Sequence, residues 1–465
     1  MTKPSDNFEK AKTYFLDGLA KANLENWEPA EIAFRKSLEI MPERESTISN
    51  LLAALIVQEK FQEAWELSRV AISLGQNNPV TNVNVGILHH KARDLEQALL
   101  FFDKAISLDP HNAEAHLNRG KVFLDLNKVS LAKGAFDKAL QSKPDFKEAK
   151  FCKSLALLVT GDFENGWPLY ESRWRTKELM QKLKFEQPLW LGKEDLSGKT
   201  ILLHWEQGFG DTIQFVRFSH EVKKLGGKIV LKVQKQLVEL LKSLEGFDVL
   251  IADGLPLPAF DFHCPLMSLP LALGITPKTI PSDVPYLKAD QTKIAKWSDK
   301  LGPKRKLRIG IVWSGNAIHA DDHNRSIPLK QFLTAMPNDC DLLGLQKDLR
   351  EEDTPILNST SNLLFFGDEL GDFSDTAALC TLVDAVVTVD TSVAHLAGAL
   401  GINVNVLIPR KPDFRWLLEG SDSAWYPTMR LYRQGQDGCW AKAISTINTN
   451  LMSDQNFRAP FVDDA

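Results

Sequence analysis

Small and apolar residues recur at a fixed interval through the first third of the chain. Alanine, phenylalanine and proline return every 34 residues or at a multiple of that interval, at Ala30, Ala64, Ala98 and Ala132, at Phe34, Phe102 and Phe136, and at Pro42, Pro110 and Pro144. Small side chains let the two helices of one unit approach closely, and phenylalanine fills the gap against the next unit. Proline ends the second helix because it lacks an N–H and clashes with the preceding turn. The pattern predicts an array of helix pairs over residues 1–175, with a fifth, partial unit at its end.

After this array the pattern changes to short apolar runs that alternate with amphipathic segments. The predicted strands form two sets, first Thr200–Trp205, Lys228–Val233 and Asp248–Ile251, then Leu307–Trp313, Leu342–Leu345, Leu363–Phe366, Ala385–Val389 and Val404–Ile408. An amphipathic helix is predicted over Thr212–Leu225, directly after the first strand. Apolar runs between helices indicate parallel sheets that are covered on both faces.

The two sets of strands predict two further domains. A charged, proline-containing connector covers 176–198, and two Rossmann-like α/β lobes are expected over 199–302 and 303–452, followed by a tail over 453–465. Open sheets of this kind bind ligands at the carboxyl ends of their strands. We therefore expect a ligand-binding cleft between the lobes.

Composition and charge narrow the classes of function. A net charge of -5 gives no electrostatic reason to expect nucleic acid as a partner. No uncharged apolar stretch approaches the length of a membrane span, and Met1–Lys10 contains no apolar segment of the kind that directs secretion. Five widely spaced cysteines without a C-x-x-C pair suggest neither a disulfide framework nor a zinc site. We expect a cytoplasmic protein.

The 34-residue period with these residue types is the signature of tetratricopeptide (TPR) repeats, which form an all-α superhelix. Asn50, Asn84 and Asn118 lie 34 residues apart on the first helices of successive units, which line the concave face of such a superhelix. An amide side chain donates and accepts hydrogen bonds at once, so this ladder suits an extended polypeptide. It resembles the asparagine ladder of the eukaryotic O-linked N-acetylglucosamine transferases. A protein partner bound by these asparagines is expected, while a purely structural role for them stays open.

Two motifs in the second part of the chain resemble the heptosyltransferase-type family that builds lipopolysaccharide cores. They are Glu206–Gln214, after the first predicted strand, and Val389–Gly401, late in the second lobe. The similarity covers about Lys199 to Leu451 and implies the two-lobed GT-B fold. It also implies a nucleotide-diphosphate sugar as the donor substrate, no cofactor, and inversion of the sugar without a metal. The combination with TPRs resembles bacterial TPR-glycosyltransferases, including those that modify flagellin.

Asp211 matches the aspartate that this family is thought to use as general base. It follows a Gly-x-Gly turn at the end of a strand, so its carboxylate would project into the cleft and take a proton from an acceptor hydroxyl. The structural alternative is a cap of the following helix, a position that aspartate favours. Glu206 is the reserve base.

Asp390, Thr391, Ser392 and His395 occupy a predicted strand-to-helix junction. Thr391 and Ser392 lie at the helix start, where free N–H groups and the positive end of the helix dipole favour phosphate. Asp390 would bind a hydroxyl of the donor sugar, and His395, one turn on, would contact phosphate or pack inside. Simple helix capping is compatible with this prediction because it uses the same N–H groups.

The loop after the strand Leu307–Trp313 supplies three further candidates for donor binding. Gly315 and Asn316 permit close approach of the backbone to a ligand, and Arg325 can neutralise a diphosphate leaving group. Heptosyltransferases often place lysine near here. Asp339–Asp341 matches the Asp-x-Asp metal motif of single-lobed glycosyltransferases, but it precedes a strand and is interpreted as a turn, so no metal site is expected.

Together these features predict a metal-independent, inverting glycosyltransferase that transfers a sugar to an acceptor hydroxyl. The acceptor is expected to be a protein recruited by the repeats. Two alternatives remain: a transferase that acts on a lipid-linked glycan, or a TPR scaffold whose nucleotide-sugar-binding module is catalytically degenerate.

Overall fold

A computed structural model describes residues 4–74, 77–174, 184–318 and 321–453 of the 465-residue chain. The structure divides into two compact units, Met1–Ala156 and Leu157–Ala465. The first part of the predicted connector, 176–183, and the predicted tail beyond residue 453 lie outside the described residues.

The first unit consists of consecutive helices. In chain order they are α1 Pro4–Asn23, α2 Trp27–Ile40, α3 Glu45–Val57, α4 Phe61–Ser73, α5 Pro79–Lys91, α6 Leu95–Leu108, α7 Ala113–Asp125, α8 Val129–Ser142 and α9 Lys147–Leu158, which runs on into the second unit. A Cβ added to Gly86 would lie 2.5 Å from the Phe102 ring, and one added to Gly120 would lie 2.4 Å from the Phe136 ring. Glycine is therefore required where the phenylalanine of the second helix meets the first. The predicted TPR-like helical repeat region is confirmed.

The turns between paired helices repeat with the same period. A residue with positive φ occurs every 34 residues, at Glu25, Glu59, Arg93, Asn127 and Gly161. The amide of the next residue donates to the carbonyl five residues earlier in each turn, from Asn26 to Lys21, Lys60 to Leu55, Asp94 to His89, Lys128 to Phe123 and Asp162 to Leu157. This closing bond is typical of the left-handed end of a helix. Because Gly161 continues the series, the repeat geometry extends into a fifth turn.

The second unit contains two parallel sheets. The strands of the first sheet are β1 Thr200–His204, β2 Lys228–Val233, β3 Val249–Ala252 and β4 Phe262–Pro265, in the order β3-β2-β1-β4. Those of the second sheet are β5 Leu307–Val312, β6 Cys340–Gly344, β7 Leu363–Phe365, β8 Ala385–Val389, β9 Val404–Ile408 and β10 Met429–Arg433, in the order β10-β9-β8-β5-β6-β7. The predicted α/β organisation is confirmed, although β4 and β10 were not predicted.

Helices connect and cover these strands. They are α10 Phe163–Tyr170, α11 Phe209–Phe215, α12 Phe218–Lys224, α13 Val238–Leu241, α14 Leu269–Ala272, α15 Gln291–Leu301, α16 Asp322–Arg325, α17 Leu329–Phe332, α18 Thr354–Ser359, α19 Phe373–Thr381, α20 Ser392–Ala399 and α21 Ala441–Ser453. The four-stranded sheet with α11–α14 forms the first lobe, and the six-stranded sheet with α15–α21 forms the second lobe. The helix predicted over Thr212–Leu225 is divided into α11 and α12. Among the described residues, no helix is both long and apolar enough to cross a membrane.

Two histidines form a buried pair inside the first lobe. His204 ends β1, His263 lies on the neighbouring strand β4, and the distance from His204 Nε2 to His263 Nδ1 is 3.3 Å. Burial lowers the pKa of His204 to about 3 and that of His263 to about 4. Lys232 and Arg173 also oppose protonation of His204. Both rings are therefore neutral at physiological pH.

This pair makes the second unit sensitive to acid. Because both pKa values are depressed, the unfolded chain binds more protons below its ordinary histidine pKa near 6.5. The contribution of the two neutral histidines to the free energy of unfolding is fully present above that pH and is lost as the pH falls toward 4. Between pH 7 and pH 5 we expect a loss of about 2 kcal/mol per histidine in the free energy of unfolding, measured by urea denaturation. His263→Gln should show a smaller loss than the wild type over this interval, and an equal loss would contradict this account.

Candidate functional site

The two sequence motifs meet at the starts of two helices. β1 leads into α11, and β8 leads into α20. A Cβ added to Gly210 would lie 3.0 Å from His395 Cδ2 and 3.3 Å from Ser392 Cα. The first turns of α11 and α20 are thus in contact, and only a residue without a side chain fits between them.

Asp211 faces this junction. One carboxylate oxygen, Oδ2, accepts a hydrogen bond from the Gly208 amide at 2.7 Å, so Asp211 also caps its own helix. The other oxygen, Oδ1, accepts from Arg415 Nη2. The side chain keeps 20% of its surface exposed to solvent. Capping and accessibility to a substrate are therefore combined in one carboxylate.

Arg415, which the sequence analysis missed, belongs to the loop after β9. Besides Asp211, its guanidinium binds Gln214 Oε1 through Nε at 2.5 Å and Asp413 Oδ1 through Nη1 at 2.8 Å. Burial alone would lower the pKa of Arg415, but the Asp413 and Asp211 carboxylates raise it above its ordinary value. Arg415 is a permanent cation that joins the second lobe to α11. Its sequence signal is a charged and aromatic segment, 412–416, directly beyond a buried strand.

Glu206, the reserve base, is fully engaged in an ion pair. Arg173 donates from Nε to Oε2 at 2.7 Å and from Nη2 to Oε1 at 2.9 Å, and the Met267 amide donates to Oε1 at 3.2 Å. Glu206 and Arg173 are both buried. Burial raises the pKa of Glu206, and Arg173 opposes that rise. The geometry gives Glu206 a structural task, so Asp211 is the better candidate for the base.

His395 is held inside the second lobe. Its Nδ1 lies 3.1 Å from the Tyr426 hydroxyl, and its ring stacks on Trp416 at a centroid distance of 5.3 Å. Burial lowers the pKa of His395 well below its ordinary value, and Arg415 reinforces this effect. The ring is therefore neutral and packs inside the second lobe, and contact of His395 with phosphate stays a prediction.

Asp390 and Arg325 lie together at the carboxyl end of β8. Arg325 Nη1 donates to the Asp390 carbonyl at 3.1 Å. Burial raises the pKa of the Asp390 carboxyl to about 6, the Asp413 carboxylate adds to the rise, and Arg325 and Arg415 oppose it. The charges of two guanidinium groups thus act on this carboxyl.

The loop after β5 is shaped around the same arginine. A Cβ added to Gly315 would lie 2.7 Å from Arg325 Nε, and the Gly315 amide donates to Ser326 Oγ at 2.9 Å. Asn316 is exposed and accepts from the Ile318 amide at 3.0 Å, which closes a local turn. Gly315 therefore belongs to the site, whereas the Asn316 side chain stabilises its loop.

The start of α20 has the properties of an anion site. Thr391 is its extended N-cap residue, and the Thr391 side chain makes no capping hydrogen bond to the helix. Its Oγ1 lies instead 3.2 Å from Thr388 Oγ1. The first amides of a helix need partners, and an oxyanion supplies them.

The three asparagines of the repeat array donate to backbone carbonyls. Asn50 Nδ2 binds the Ser46 carbonyl at 2.8 Å and Asn118 Nδ2 binds the Glu114 carbonyl at 2.9 Å, both one turn earlier in the same helix. Asn84 Nδ2 reaches the Ser49 carbonyl of the preceding repeat at 2.8 Å. These contacts are the structural role that the sequence left open. Peptide binding by the asparagines stays a prediction, and it requires exchange of these bonds.

Comparison with known proteins supports the assignment of the first unit as a region of TPR-type repeats. A family model described as tetratricopeptide repeat matches residues 89–154. The chain is 25% identical over 435 residues to Protein FlbA of Caulobacter vibrioides, across 87% of this chain and 72% of that protein. Superkiller protein 3 of Saccharomyces cerevisiae is 22% identical over 125 residues, which are 27% of this chain and 8% of that protein. FlbA is thus a homologue over most of the chain.

Solved structures resemble the repeat region at low scores. The TPR protein TTC0263 of Thermus thermophilus has a TM-score of 0.34 and 17% identity, across 37% of this chain and 95% of that chain. PilF of Pseudomonas aeruginosa has a TM-score of 0.33 and 22% identity, across 36% of this chain and 76% of that chain. The family match and the two sheets together define the class of protein, a TPR-type helical region followed by parallel α/β sheets.

Proposed function

We propose that this chain is a metal-independent glycosyltransferase with a GT-B arrangement of its two lobes. It transfers a sugar, with inversion, from a nucleotide-diphosphate sugar to an acceptor hydroxyl. The observation that carries the proposal is the contact between α11 and α20, because it brings Asp211 next to the uncapped start of α20. Both sit at the carboxyl ends of parallel strands, where open α/β sheets bind ligands.

In the proposed reaction, the first lobe supplies the base and the second lobe binds the leaving group. Inversion requires the nucleophile and the leaving group to lie on opposite faces of the anomeric carbon. In the proposal Asp211, from the first lobe, takes the proton of the acceptor hydroxyl as its oxygen attacks. Arg325 and the first amides of α20, from the second lobe, stabilise the departing diphosphate. Asp390 binds a hydroxyl of the donor sugar.

The repeat region supports a protein as the acceptor or as the recruiting partner. TPR arrays are protein-interaction modules, and the family match covers part of this array. A lipid-linked glycan as acceptor would leave the chemistry unchanged and would give the repeats a role in assembly instead.

One observation favours a second candidate function. Asp211 is ion-paired with Arg415, so the oxygen that would take the proton is already bound to a guanidinium. A scaffold that binds a nucleotide-sugar without transferring it would show the same pairing. Release of nucleoside diphosphate from the bound donor separates the two functions, because only the enzyme carries it out.

Nucleoside diphosphates should stabilise the protein against heat. We expect at least one of ADP, GDP, UDP and CDP to raise the Tm of the full chain by several degrees, since a ligand at 100 times its Kd contributes about 2.7 kcal/mol. Arg325→Gln should reduce this shift, while the exposed Arg430→Gln should retain it. The measurement is differential scanning fluorimetry. If none of the four diphosphates binds the wild type, the proposed function fails.

A further inference from the structure

The carboxylates around Arg415 carry more negative charge than its single guanidinium can neutralise. It contacts Asp211 from the first lobe and Asp413 from its own loop, and its charge also opposes the rise in the pKa of the Asp390 carboxyl. Two of these carboxylates compete for a single cation. An arriving dianion at the same place would be a stronger partner for Arg415 than either carboxylate, because phosphate offers more charge and more acceptor atoms.

The backbone that carries Arg415 is fixed independently of these contacts. Arg433 donates to the carbonyls of Trp416 at 2.6 Å, Leu417 at 3.0 Å, Glu419 at 3.0 Å and Gly420 at 2.9 Å. Leu417 has a φ of 55°, a left-handed conformation that is strained for leucine and persists only when neighbouring contacts impose it. The Arg415 side chain can therefore change partner while its loop stays in place.

The present partner of Arg415 is the carboxylate that the proposed function uses as a base. Asp211 Oδ1 is bound to Arg415 and Asp211 Oδ2 to the Gly208 amide, so both carboxylate oxygens are occupied until Arg415 moves away. Arg325 donates to the carbonyl of Asp390, which leads into α20, and the start of α11 with Asp211 and its partner Arg415 contacts Ser392 at the start of α20. Arg325 and Arg415 therefore serve the same junction, and a diphosphate bound there by Arg325 could also reach Arg415.

We propose that Arg415 is a second ligand of the donor diphosphate and that it exchanges Asp211 for the diphosphate when the donor binds. This inference rests on the proposed function. The exchange frees Asp211 only when the leaving group is in position. In the transfer step the hydroxyl proton passes to Asp211, a bond forms between the acceptor oxygen and the anomeric carbon, and the bond to the diphosphate breaks. The nucleoside diphosphate leaves with that electron pair, held by Arg415 and Arg325.

Binding of a nucleoside diphosphate alone tests the exchange, without any turnover. The probe is whichever of ADP, GDP, UDP and CDP binds the wild-type full chain, and the method is isothermal titration calorimetry. Asp211→Asn keeps an oxygen for the Gly208 amide but removes the competing charge, so we expect the affinity to rise ~5-fold or more. Arg415→Gln should lower the affinity ~10-fold.

The double variant D211N/R415Q is the decisive measurement. It should bind as weakly as R415Q, because the Asp211 charge opposes binding only through Arg415. Arg430→Gln, an exposed arginine of the same lobe, is the matched control and should bind as the wild type does. Asp413→Asn, which removes the other competing carboxylate, provides a second variant and should also bind more tightly.

The outcomes separate the two proposals. Failure of all four diphosphates to bind the wild type would overturn the proposed function and the exchange with it. If the wild type binds but neither D211N nor D413N binds more tightly, the exchange is wrong and the proposed function stands. An equal gain from D211N with and without Arg415 would likewise reject Arg415 as the competing partner.

Discussion

Replacing Arg173 by methionine in the full chain should lower the free energy of unfolding of the second unit by about 3–5 kcal/mol. The reason is the carboxylate that stays behind. Glu206 is 2% exposed and Arg173 is 1% exposed, and their two parallel hydrogen bonds are the main compensation for burying the charge. Without Arg173, Glu206 must remain buried as an unpaired anion or take up a proton. Urea denaturation followed by tryptophan fluorescence measures the loss.

A double variant separates the ion pair from simple packing. Arg173→Met with Glu206→Leu removes both charges of this pair, so it should recover much of the stability lost by Arg173→Met alone. Lys242→Met removes one partner of an exposed pair with Glu239 and should change stability by less than about 1 kcal/mol. The explanation fails if Arg173→Met is as mild as Lys242→Met, or if the double variant is no more stable than the single one.

The pair of Arg173 and Glu206 also shows that the segment around α10 belongs to the second unit. Arg173 follows α10, and this segment packs within the second unit, with Trp167 on Phe414 at a ring distance of 5.6 Å. Phe163 lies 6.4 Å from Trp425 by the same measure. Residues that the sequence pattern assigns to the last repeat are thus core residues of the α/β unit. A deletion of residues 1–174 would remove them and expose Glu206, whereas a deletion that ends at the unit boundary keeps them.

The repeat array was predictable because its determinants are local and periodic. Glycine and phenylalanine recur at the positions where two helices touch, and each contact lies within one helix pair. The left-handed turn residues were less visible. Only Gly161 of that series is a glycine, and Glu25 and Glu59 carry no sequence signal for positive φ. The tight helical turn imposes that conformation on them.

Most strands of the α/β unit could be predicted from the sequence, but two strands and the break between α11 and α12 could not. β4 and β10 were missed because each mixes polar residues with apolar ones, as in Met429–Arg433. The break between α11 and α12 was missed because its cause is distant. There Arg217 turns inward and donates to the carbonyls of Pro281 at 2.9 Å and Trp425 at 2.7 Å. No local pattern announces such contacts.

In the candidate site, too, some features could be predicted from the sequence and others could not. Asp211 and the segment from Asp390 to His395 follow strands and open helices, so their positions could be predicted from the chain alone. The partners that decide what each side chain does could not. Arg415 is far from Asp211 in the sequence, as Arg173 is from Glu206, and only folding brings them together.

Asp211→Asn should reduce transfer by about 10²–10⁴-fold, with donor binding retained. Asp211→Asn keeps the size of the side chain and an oxygen for the Gly208 amide, so α11 should keep its cap. It removes the basic oxygen that takes the proton of the attacking hydroxyl. The measurement is the rate of nucleoside diphosphate release from nucleotide-sugars that carry the diphosphate identified by the binding screen, with the Tm of the variant as a check on folding.

Asp422→Asn is the matched control, because Asp422 is an exposed aspartate of the second lobe outside the site. It should leave the rate unchanged. A rate for Asp211→Asn within a few fold of the wild type, in a variant that folds and binds the donor, would remove Asp211 as the base. A large loss of rate together with undiminished diphosphate binding would instead separate the two tasks of the junction. Asp211 of α11 would then be the proton acceptor, and residues of the second lobe would bind the departing nucleoside diphosphate.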